Sequence, residues 1–353
     1  MQAFFAPEQM KHDPQQFMWE GRITRPKDVK ERTDALLAAL HNMNVPVAPP
    51  EDFGLEAIRA AHDADYLEFL ATAWAQWQTL TQPGIEVLPS HSPYYNAHPS
   101  QLSRGACRPS APVARAGFYL GDLSSPMGPH TWQSALRSAH SAVAAAHHVM
   151  AGADSAYALC RPSGHHVKYD CAAGFCYLNN TAIVAQALRK QFARVAVIDV
   201  DVHHGDGTQQ IFYSRNDVLT VSLHADTTTY YPFFTGYADE TGYGPGQGYN
   251  LNLPLSHGMQ DDAWLQHFDD ACTQVTAFAP DALVIALGFD AHYADPLGVL
   301  NLTDDCFHAT GRRIQAFDLP TVLVQEGGYG VDTIGNNLQA FLEGFLNPQG
   351  AAQ

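Results

Sequence analysis

Residues 197–205 read Val-Ile-Asp-Val-Asp-Val-His-His-Gly, an apolar run that carries acids and histidines into a glycine turn. Alternate side chains of an extended strand share a face, so Asp199, Asp201 and His203 are predicted to point the same way. Two carboxylates and one imidazole that converge at a strand end are typical ligands of a divalent metal ion. The alternative is a buried strand whose acids pair with basic neighbours, but the run contains no Lys or Arg. Because burying unpaired carboxylates is costly, the run favours a metal site.

Outward from this run, helical patterns alternate with short β-branched runs, especially beyond residue 131. The predicted strands are 156–160, 194–199, 218–223, 282–287 and 321–325. The predicted helices are about 28–42, 55–75, 131–150, 177–190, 261–278, 303–317 and 335–346. This alternation predicts an α/β fold whose mainly parallel central sheet has helices on both faces. Residues 79–130 are rich in Pro, Ser, Gly and Tyr and show little periodicity, which predicts a long functional or interface loop.

The chemically reactive side chains follow the predicted strands instead of preceding them. This order matters because open parallel sheets bind their ligands at the carboxyl ends of the strands. The segments that fit the rule are 161–166, 199–203, 222–224, 288–290 and 326–330. We therefore expect five loops to form one site at a single edge of the sheet.

The bulk composition fits a globular protein of one large domain or two ordinary ones. The chain has 353 residues, of which 46% are hydrophobic. Its 19 Lys and Arg against 36 Asp and Glu give a formal net charge of −17. Such a charge disfavours nucleic acid and anionic membranes as partners and favours cationic small molecules or basic peptides. Solubility or adaptation to salt explains the same charge equally well.

The sequence shows no targeting or membrane signal. No stretch approaches the roughly 18 apolar residues of a membrane-spanning helix. The first ten residues lack the basic and apolar regions of a secretory signal peptide. The six cysteines show neither the density of a disulfide framework nor CxxC spacing, so a reducing cytoplasm is the expected location.

Six motifs occur in the order found in the zinc-dependent histone deacetylase family, which the chain resembles from about residue 20 to residue 345. They are PSGHH (162–166), GFCYLNN (174–180), DVDVHHGDGTQ (199–209), SLH (222–224), LGFDAHYADPLG (287–298) and EGGY (326–329). The segments HDADYLEFLATAWAQW and GFYLGD…TW are similar to the bacterial branch of acetylpolyamine amidohydrolases and histone deacetylase-like amidohydrolases. The resemblance implies the arginase–deacetylase α/β fold, a single catalytic domain over residues 1–353, and a loop insertion at about 79–130.

Carried over by motif, the resemblance implies that Asp201, His203 and Asp290 bind one catalytic zinc ion per subunit. Three protein ligands leave open positions, as catalytic zinc sites do. The implied reaction is hydrolysis of an acetamide on a primary amine by metal-activated water, with release of acetate. One alternative is an arginase-type ureohydrolase that uses two manganese ions. Another is a non-catalytic protein that binds acetylated ligands.

Five residues match catalytic positions of the family: His165, His166, Tyr329, Asp199 and Asp206. The resemblance implies that Asp199 orients His165 and that Asp206 orients His166. His166 is then expected to take a proton from water and to deliver it to the leaving amine. His165 is expected to stabilise charge in the transition state, and Tyr329 to donate a hydrogen bond to the oxyanion.

The resemblance also implies one or two structural potassium ions and a narrow substrate tunnel. The first potassium site comprises Asp199, Asp201, His203, Ser222 and Leu223. The second comprises Phe212, Arg215, Val218 and Tyr249, mainly through backbone groups. The tunnel residues are Gly174, Phe175, Tyr231 and Leu297. Aromatic walls suit a long alkyl chain that ends in an amide, although such residues can equally be ordinary core aromatics.

The expected substrate is a small cationic acetylated amine such as an acetylpolyamine, and the alternative is a lysine deacetylase acting on proteins or peptides. In the polyamine branch the insertion narrows the entrance and forms a dimer, so a homodimer through 79–130 is expected. Two departures from the polyamine branch count against a polyamine substrate. Residues 113–119 lack the glutamate expected to recognise the distal ammonium group, which Asp122 could replace. The GFDAHYADPLG motif is more similar to class II deacetylases and their bacterial relatives than to the polyamine branch.

Overall fold

Within the residues that the structure describes, the central sheet of the computed structural model has eight strands, and every pair of neighbours is parallel. The structure describes residues 1–92, 107 and 109–347. The strands in this part of the chain are β1 Gln2–Phe4, β2 Phe17–Trp19, β3 Arg22–Thr24, β4 Val47–Ala48, β5 Ser155–Ala158, β6 Val195–Asp199, β7 Val218–Ala225, β8 Asn250–Leu255, β9 Ala282–Leu287 and β10 Thr321–Gln325. The sheet order is β4-β1-β5-β10-β9-β6-β7-β8, and β2 and β3 form a separate antiparallel hairpin.

Helices cover both faces of the sheet, as parallel sheets require because neither face is left to solvent. The described helices are α1 Lys30–Asn42, α2 Glu56–Arg59, α3 Ala64–Trp77, α4 Pro112–Tyr119, α5 Thr131–Met150, α6 Asn180–Leu188, α7 Asp206–Phe212, α8 Asp261–Phe278, α9 Asp304–Gln315 and α10 Ile334–Leu346. One apolar core lies between the sheet and α3, α4, α5 and α6. The other lies between the sheet and α1, α8, α9 and α10.

Strand β6 shows how the sequence forms this sheet and places its reactive end. All five residues are buried, and the apolar side chains enter the two cores alternately. An apolar run without a polar face is typical of a strand inside a parallel sheet. The last residue, Asp199, pairs with Ser222 of β7 and Ala286 of β9. This register brings the carboxyl ends of three strands to one edge.

The predicted α/β fold with a mainly parallel sheet is confirmed, and all five predicted strands are present. The prediction omits β1, β4 and β8, which lie at or next to the edges of the sheet. Strand β8 alternates polar and apolar residues and contains Pro254, which an edge position tolerates. The single helix predicted at 55–75 is wrong: α2 and α3 are separate, and the Asp63 side chain caps the start of α3.

The segment 79–130 is not a loop throughout, because it contains α4. This helix has a proline in its first turn, where a missing N–H group breaks no helical hydrogen bond. Arg115 of α4 lies over the Phe69 ring of α3, with 5.6 Å between the guanidinium carbon and the ring centroid. Residues 93–106 and 108 lie outside the described residues, so the predicted dimer-forming insertion is described only in part. Among the described helices, none combines the length and apolar character needed to cross a bilayer.

Candidate metal and catalytic site

Asp201, His203 and Asp290 lie together beyond the carboxyl ends of β6 and β9. One ligand atom from each of the three side chains lies within 4.8 Å of the other two. His203 Nδ1 is 3.1 Å from both Asp201 Oδ1 and Asp290 Oδ2. Both carboxylates are fully buried. The structure therefore brings together the three residues that the sequence predicts as zinc ligands.

Backbone amides and two glycines hold the carboxylates in place. Val202 N donates to Asp290 Oδ1 over 2.9 Å, and Gly327 N donates to Asp201 Oδ2 over 2.7 Å. A β-carbon at Gly288 or at Gly327 would overlap with the Asp201 carboxylate. Only glycine allows this close approach of backbone to the acids.

The buried acids need a positive partner. Burial, followed by the neighbouring Asp201 carboxylate, raises the pKa of Asp290 to about 7. Burial opposes protonation of His203, but hydrogen bonds to Asp201 and Asp290 raise its pKa to about 9. Two carboxylates and one imidazole are nitrogen and oxygen donors that a divalent cation such as Zn²⁺ accepts. The donor set therefore fits a divalent metal ion.

His165 and Asp199 form one of two histidine–carboxylate pairs beside the metal triad. His165 Nδ1 donates to Asp199 Oδ2 over 2.9 Å, and His165 Nε2 lies 3.8 Å from Asp201 Oδ1. Burial acts to lower the pKa of His165, but the Asp201 and Asp199 carboxylates outweigh it and raise that pKa above its ordinary value. A protonated His165 can stabilise negative charge next to the metal triad.

His166 and Asp206 form the second pair, in a different electrostatic setting. His166 Nδ1 donates to Asp206 Oδ1 over 2.8 Å, and the Lys168 ammonium group binds Asp206 Oδ2. Burial, followed by the charge on His165, lowers the pKa of His166 to about 3. His166 is therefore neutral at neutral pH, and its Nε2 atom can accept a proton.

Tyr329 lies on the loop after β10, where two charged side chains hold it through contacts that the sequence does not predict. Asp295 Oδ2 accepts a hydrogen bond from Tyr329 N over 2.6 Å. The Arg32 guanidinium carbon lies 4.7 Å from the Tyr329 ring centroid, and the same group donates to two carbonyl oxygens of this loop. Burial raises the pKa of the Tyr329 hydroxyl, which therefore keeps its proton and remains a hydrogen-bond donor.

The predicted tunnel residues surround the site. Phe175, Leu297 and Tyr329 form a small buried cluster with Phe17. The Phe175 ring centroid lies 5.0 Å from that of Phe17 and 5.6 Å from that of Tyr329. The Tyr231 ring meets the imidazole rings of the site edge to face. The described residues thus form an aromatic wall beside the metal triad.

Sequence reasoning misses two aromatic residues of this wall, Phe17 and Tyr230. Tyr230 stacks on His203, with 4.9 Å between the ring centroids and 16° between the ring planes. Its only sequence signal is its position next to the predicted Tyr231. Phe17 belongs to the β2–β3 hairpin, far from every motif, and nothing in the sequence around it indicates a site.

The structure places one pair of residues from each predicted potassium group side by side, and this placement does not test the prediction. Asp199 and Ser222 line one small cavity, and they are register partners of β6 and β7. In the second group, the Phe212 carbonyl accepts a hydrogen bond from Arg215 N over 2.9 Å. Potassium binding at either place stays a prediction.

Comparisons with known proteins find similar chains of nearly the same length. A model of the histone deacetylase domain matches residues 24–345. The chain is 47% identical over 346 residues to the acetylpolyamine amidohydrolase of Burkholderia pseudomallei (strain 1710b), covering 98% of each chain. It is 41% identical over 355 residues to acetylpolyamine amidohydrolase 1 of Pseudomonas aeruginosa, covering 100% of each. A crystal structure of acetylpolyamine aminohydrolase from Burkholderia pseudomallei has a TM-score of 0.93 and 46% identity, covering 98% of this chain and 99% of the other.

Proposed function

Because this chain belongs to the histone deacetylase family and is a hydrolase of amide bonds, we propose that it deacetylates small acetylated primary amines, acetylpolyamines above all. The products are acetate and the free amine. The observation that carries the proposal is similarity over nearly the whole chain to two acetylpolyamine amidohydrolases. Deacetylation of lysine in proteins or peptides is the less favoured alternative.

In this proposal Asp201, His203 and Asp290 hold one zinc ion. A zinc ion held there supplies a Lewis acid that polarises the amide carbonyl and lowers the pKa of water. The support for the site is its donor set, two buried carboxylates and one imidazole with their ligand atoms within 4.8 Å of one another.

His166 is the proposed general base and general acid. Its neutral imidazole, with Nδ1 fixed on Asp206, accepts a proton at Nε2 from the attacking water. The same nitrogen then returns that proton to the leaving amine nitrogen. Burial opposes ionisation of Asp206, but Lys168 and His166 outweigh it and lower the pKa of Asp206. Asp206 therefore stays ionised and keeps the His166 tautomer fixed.

Two side chains face the negative charge that develops on the carbonyl oxygen. Tyr329 keeps its proton and donates a hydrogen bond to the oxyanion. His165, whose pKa is raised by Asp201 and Asp199 against the effect of burial, contributes positive charge. Groups fixed in place before the reaction stabilise the transition state without reorganising, and one such donor typically contributes about 10²–10³-fold in turnover.

The walls of the site favour a slender substrate. Phe17, Phe175 and Leu297 form an apolar surface next to Tyr329, which suits an alkyl chain carrying the acetamide. The net charge of −17 favours approach of a cationic amine. A polyamine with one acetylated end combines both properties.

The test is a comparison of kcat/KM for acetylputrescine, acetylcadaverine, acetylspermidine and an acetyl-lysine peptide, with released acetate as the readout. We expect at least one acetylated polyamine or diamine to exceed the peptide by about tenfold or more, a difference of about 1.4 kcal/mol in transition-state binding. Equal or higher efficiency on the peptide would favour the lysine deacetylase. If zinc-loaded protein bound these compounds and hydrolysed none of them, the proposal that the protein deacetylates them would be refuted.

The proposal includes a cytoplasmic homodimer formed through residues 79–130, with one zinc ion and one or two potassium ions per subunit. Light scattering after size exclusion tests the dimer, and a monomer at micromolar concentration would contradict it. Elemental analysis tests the ions. Two tightly bound manganese ions per subunit would favour the arginase-type alternative instead.

A further inference from the structure

We infer that Asp122 is a positioning residue, which holds Gly174 and Tyr231 against His166 instead of binding the distal ammonium group of a substrate. The inference deepens the proposed function and rests on it for the role of His166. Asp122 lies shortly after α4, near the end of the segment 79–130. Its contacts connect this segment to two other parts of the chain.

Both oxygens of the Asp122 carboxylate already accept hydrogen bonds. Oδ2 accepts from the Tyr231 hydroxyl over 2.7 Å and from Gly174 N over 3.0 Å. Oδ1 accepts from Ser124 N over 2.9 Å, and Ser124 Oγ is a second acceptor for Gly174 N at 3.0 Å. The carboxylate is therefore occupied by donors of the protein and satisfied without a cation from the substrate.

Each of the two groups bound to Asp122 Oδ2 touches the imidazole of His166. Gly174 has a φ of +57°, and a β-carbon at this position would overlap with the His166 ring, so the backbone itself packs against the imidazole. The Tyr231 ring meets the same imidazole edge to face, with 5.0 Å between centroids and 83° between planes. Asp206 holds Nδ1 of the ring from another direction. His166 thus has three supports, and two of them depend on Asp122.

The position of His166 matters because proton transfer needs the accepting nitrogen within hydrogen-bonding distance of the reacting water. A misplacement of about 1 Å can lower turnover by about 10²-fold. Removal of the Asp122 carboxylate loosens Gly174 and Tyr231 but leaves the metal triad and the His166–Asp206 pair intact. The expected loss is therefore mainly in kcat and of equal size for cationic and uncharged substrates, with zinc content unchanged.

The kinetic test compares Asp122→Ala, Asp122→Asn and Asp305→Ala in the zinc-loaded enzyme. Asp305 is an exposed acid in the first turn of α9 and controls for the loss of one negative charge. The substrates are acetylputrescine, which is cationic, and a capped acetyl-lysine amide, which carries no net charge. We expect Asp122→Ala to lower kcat by about 10- to 100-fold on both substrates. Asp122→Asn keeps an acceptor oxygen and should lose clearly less, and Asp305→Ala should match the wild type.

A different pattern would overturn the inference. If Asp122 bound the distal ammonium group, the loss would appear in KM, only for acetylputrescine, and with equal size in Asp122→Ala and Asp122→Asn. A double-mutant comparison adds a second criterion: the Asp122→Ala and Tyr231→Phe effects should be less than additive because they remove the same hydrogen bond. Fully additive losses of kcat would contradict the inference that Asp122 acts through Tyr231.

Hydrogen exchange supplies a readout that does not depend on turnover. The Gly174 amide should exchange about tenfold faster in Asp122→Ala than in the wild type, while amides of β6 keep their protection. Unchanged exchange at Gly174 would refute the inference even if the rate fell. If the wild type hydrolysed none of the substrates, the proposed function would fail, and this exchange measurement would still decide whether Asp122 holds Gly174.

Discussion

The catalytic centre and the substrate wall of this protein are built in different ways. The centre comes from the ends of neighbouring parallel strands, and its carboxylates are fully buried and bound by backbone amides. The wall is assembled from residues that lie far apart in the chain, among them Phe17 of the hairpin, Phe175 and Tyr231. From Tyr231 it continues through neighbouring rings to Phe234, which is 85% exposed. The difference indicates that the strand ends hold the metal triad, whereas loop segments form the wall, and one wall residue, Tyr231, also contacts the catalytic His166.

The largest effect is expected at the metal triad, with Asp290→Asn. This change removes one of two anionic ligands from a buried site. Loss of a residue that only supports a metal ligand typically lowers metal affinity by about 10–100-fold, and we expect zinc affinity to fall further than that in Asp290→Asn. Turnover should fall below detection on every substrate. Elemental analysis after dialysis measures the zinc, with Asp305→Asn as the control. Full zinc content in Asp290→Asn would contradict its role as a ligand.

The next largest effect is expected for His166→Ala. Loss of the group that moves the proton should lower kcat by about 10²–10⁴-fold, while zinc content stays at the wild-type level. The loss should be equal for acetylputrescine and for an acetyl-lysine peptide because His166 acts on the reacting atoms. Steady-state kinetics on both substrates check this, with exposed His41→Ala as the control. A loss of kcat that differed between the two substrates would indicate that His166 contributes to substrate binding, as the wall does, and not to proton transfer in the catalytic centre.

Tyr329→Phe should have a somewhat smaller effect. It removes one hydrogen-bond donor and keeps the ring that lies next to Arg32 and Phe175. We expect kcat to fall by about 10²–10³-fold, with the zinc content and folded structure unchanged. Wild-type turnover in this variant would rule out the oxyanion role of the hydroxyl.

The smallest effect is expected at the wall, with Phe17→Ala. Loss of this ring removes apolar contact surface for the alkyl chain, so KM for acetylputrescine should rise by about 3- to 10-fold while kcat changes little. Ile23→Ala, an exposed position on the same hairpin, is the matched control. A fall in kcat with unchanged KM would show that the hairpin supports the catalytic centre, and the distinction between the two regions would be wrong.

The same distinction explains what the sequence could predict. Asp199, Asp201 and His203 stand two residues apart at the end of a buried apolar run, and this spacing predicts one shared site. Strand β6 ends at Asp199, so the shared strand face does not extend to Asp201 and His203, and Asp199 pairs with His165 instead of joining the metal triad. The partners of the two histidines follow from the family resemblance, and the structure brings each pair within hydrogen-bonding distance. Their catalytic roles stay predictions until they are tested.

The wall and its supports could not be predicted because they depend on contacts between distant segments. Nothing local to Arg32 or Phe17 indicates that they meet Tyr329 and Phe175. The Asp122 carboxylate could be suggested for substrate binding, but two of its donors, Tyr231 and Gly174, come from two other segments. Strand β8 was not predicted for a different reason, because Pro254 lies inside its alternating run and a proline counts against a strand.

The most direct test of the central claim is acetate release from acetylputrescine before and after removal of the metal. The purified enzyme is stripped with a chelator, dialysed and titrated with Zn²⁺ while acetate release and zinc content are measured together. We predict that activity is lost on chelation and returns in full at one zinc ion per subunit, but does not return in Asp290→Asn. Hydrolysis by the metal-free protein, or a zinc-loaded protein that releases no acetate, would contradict the account.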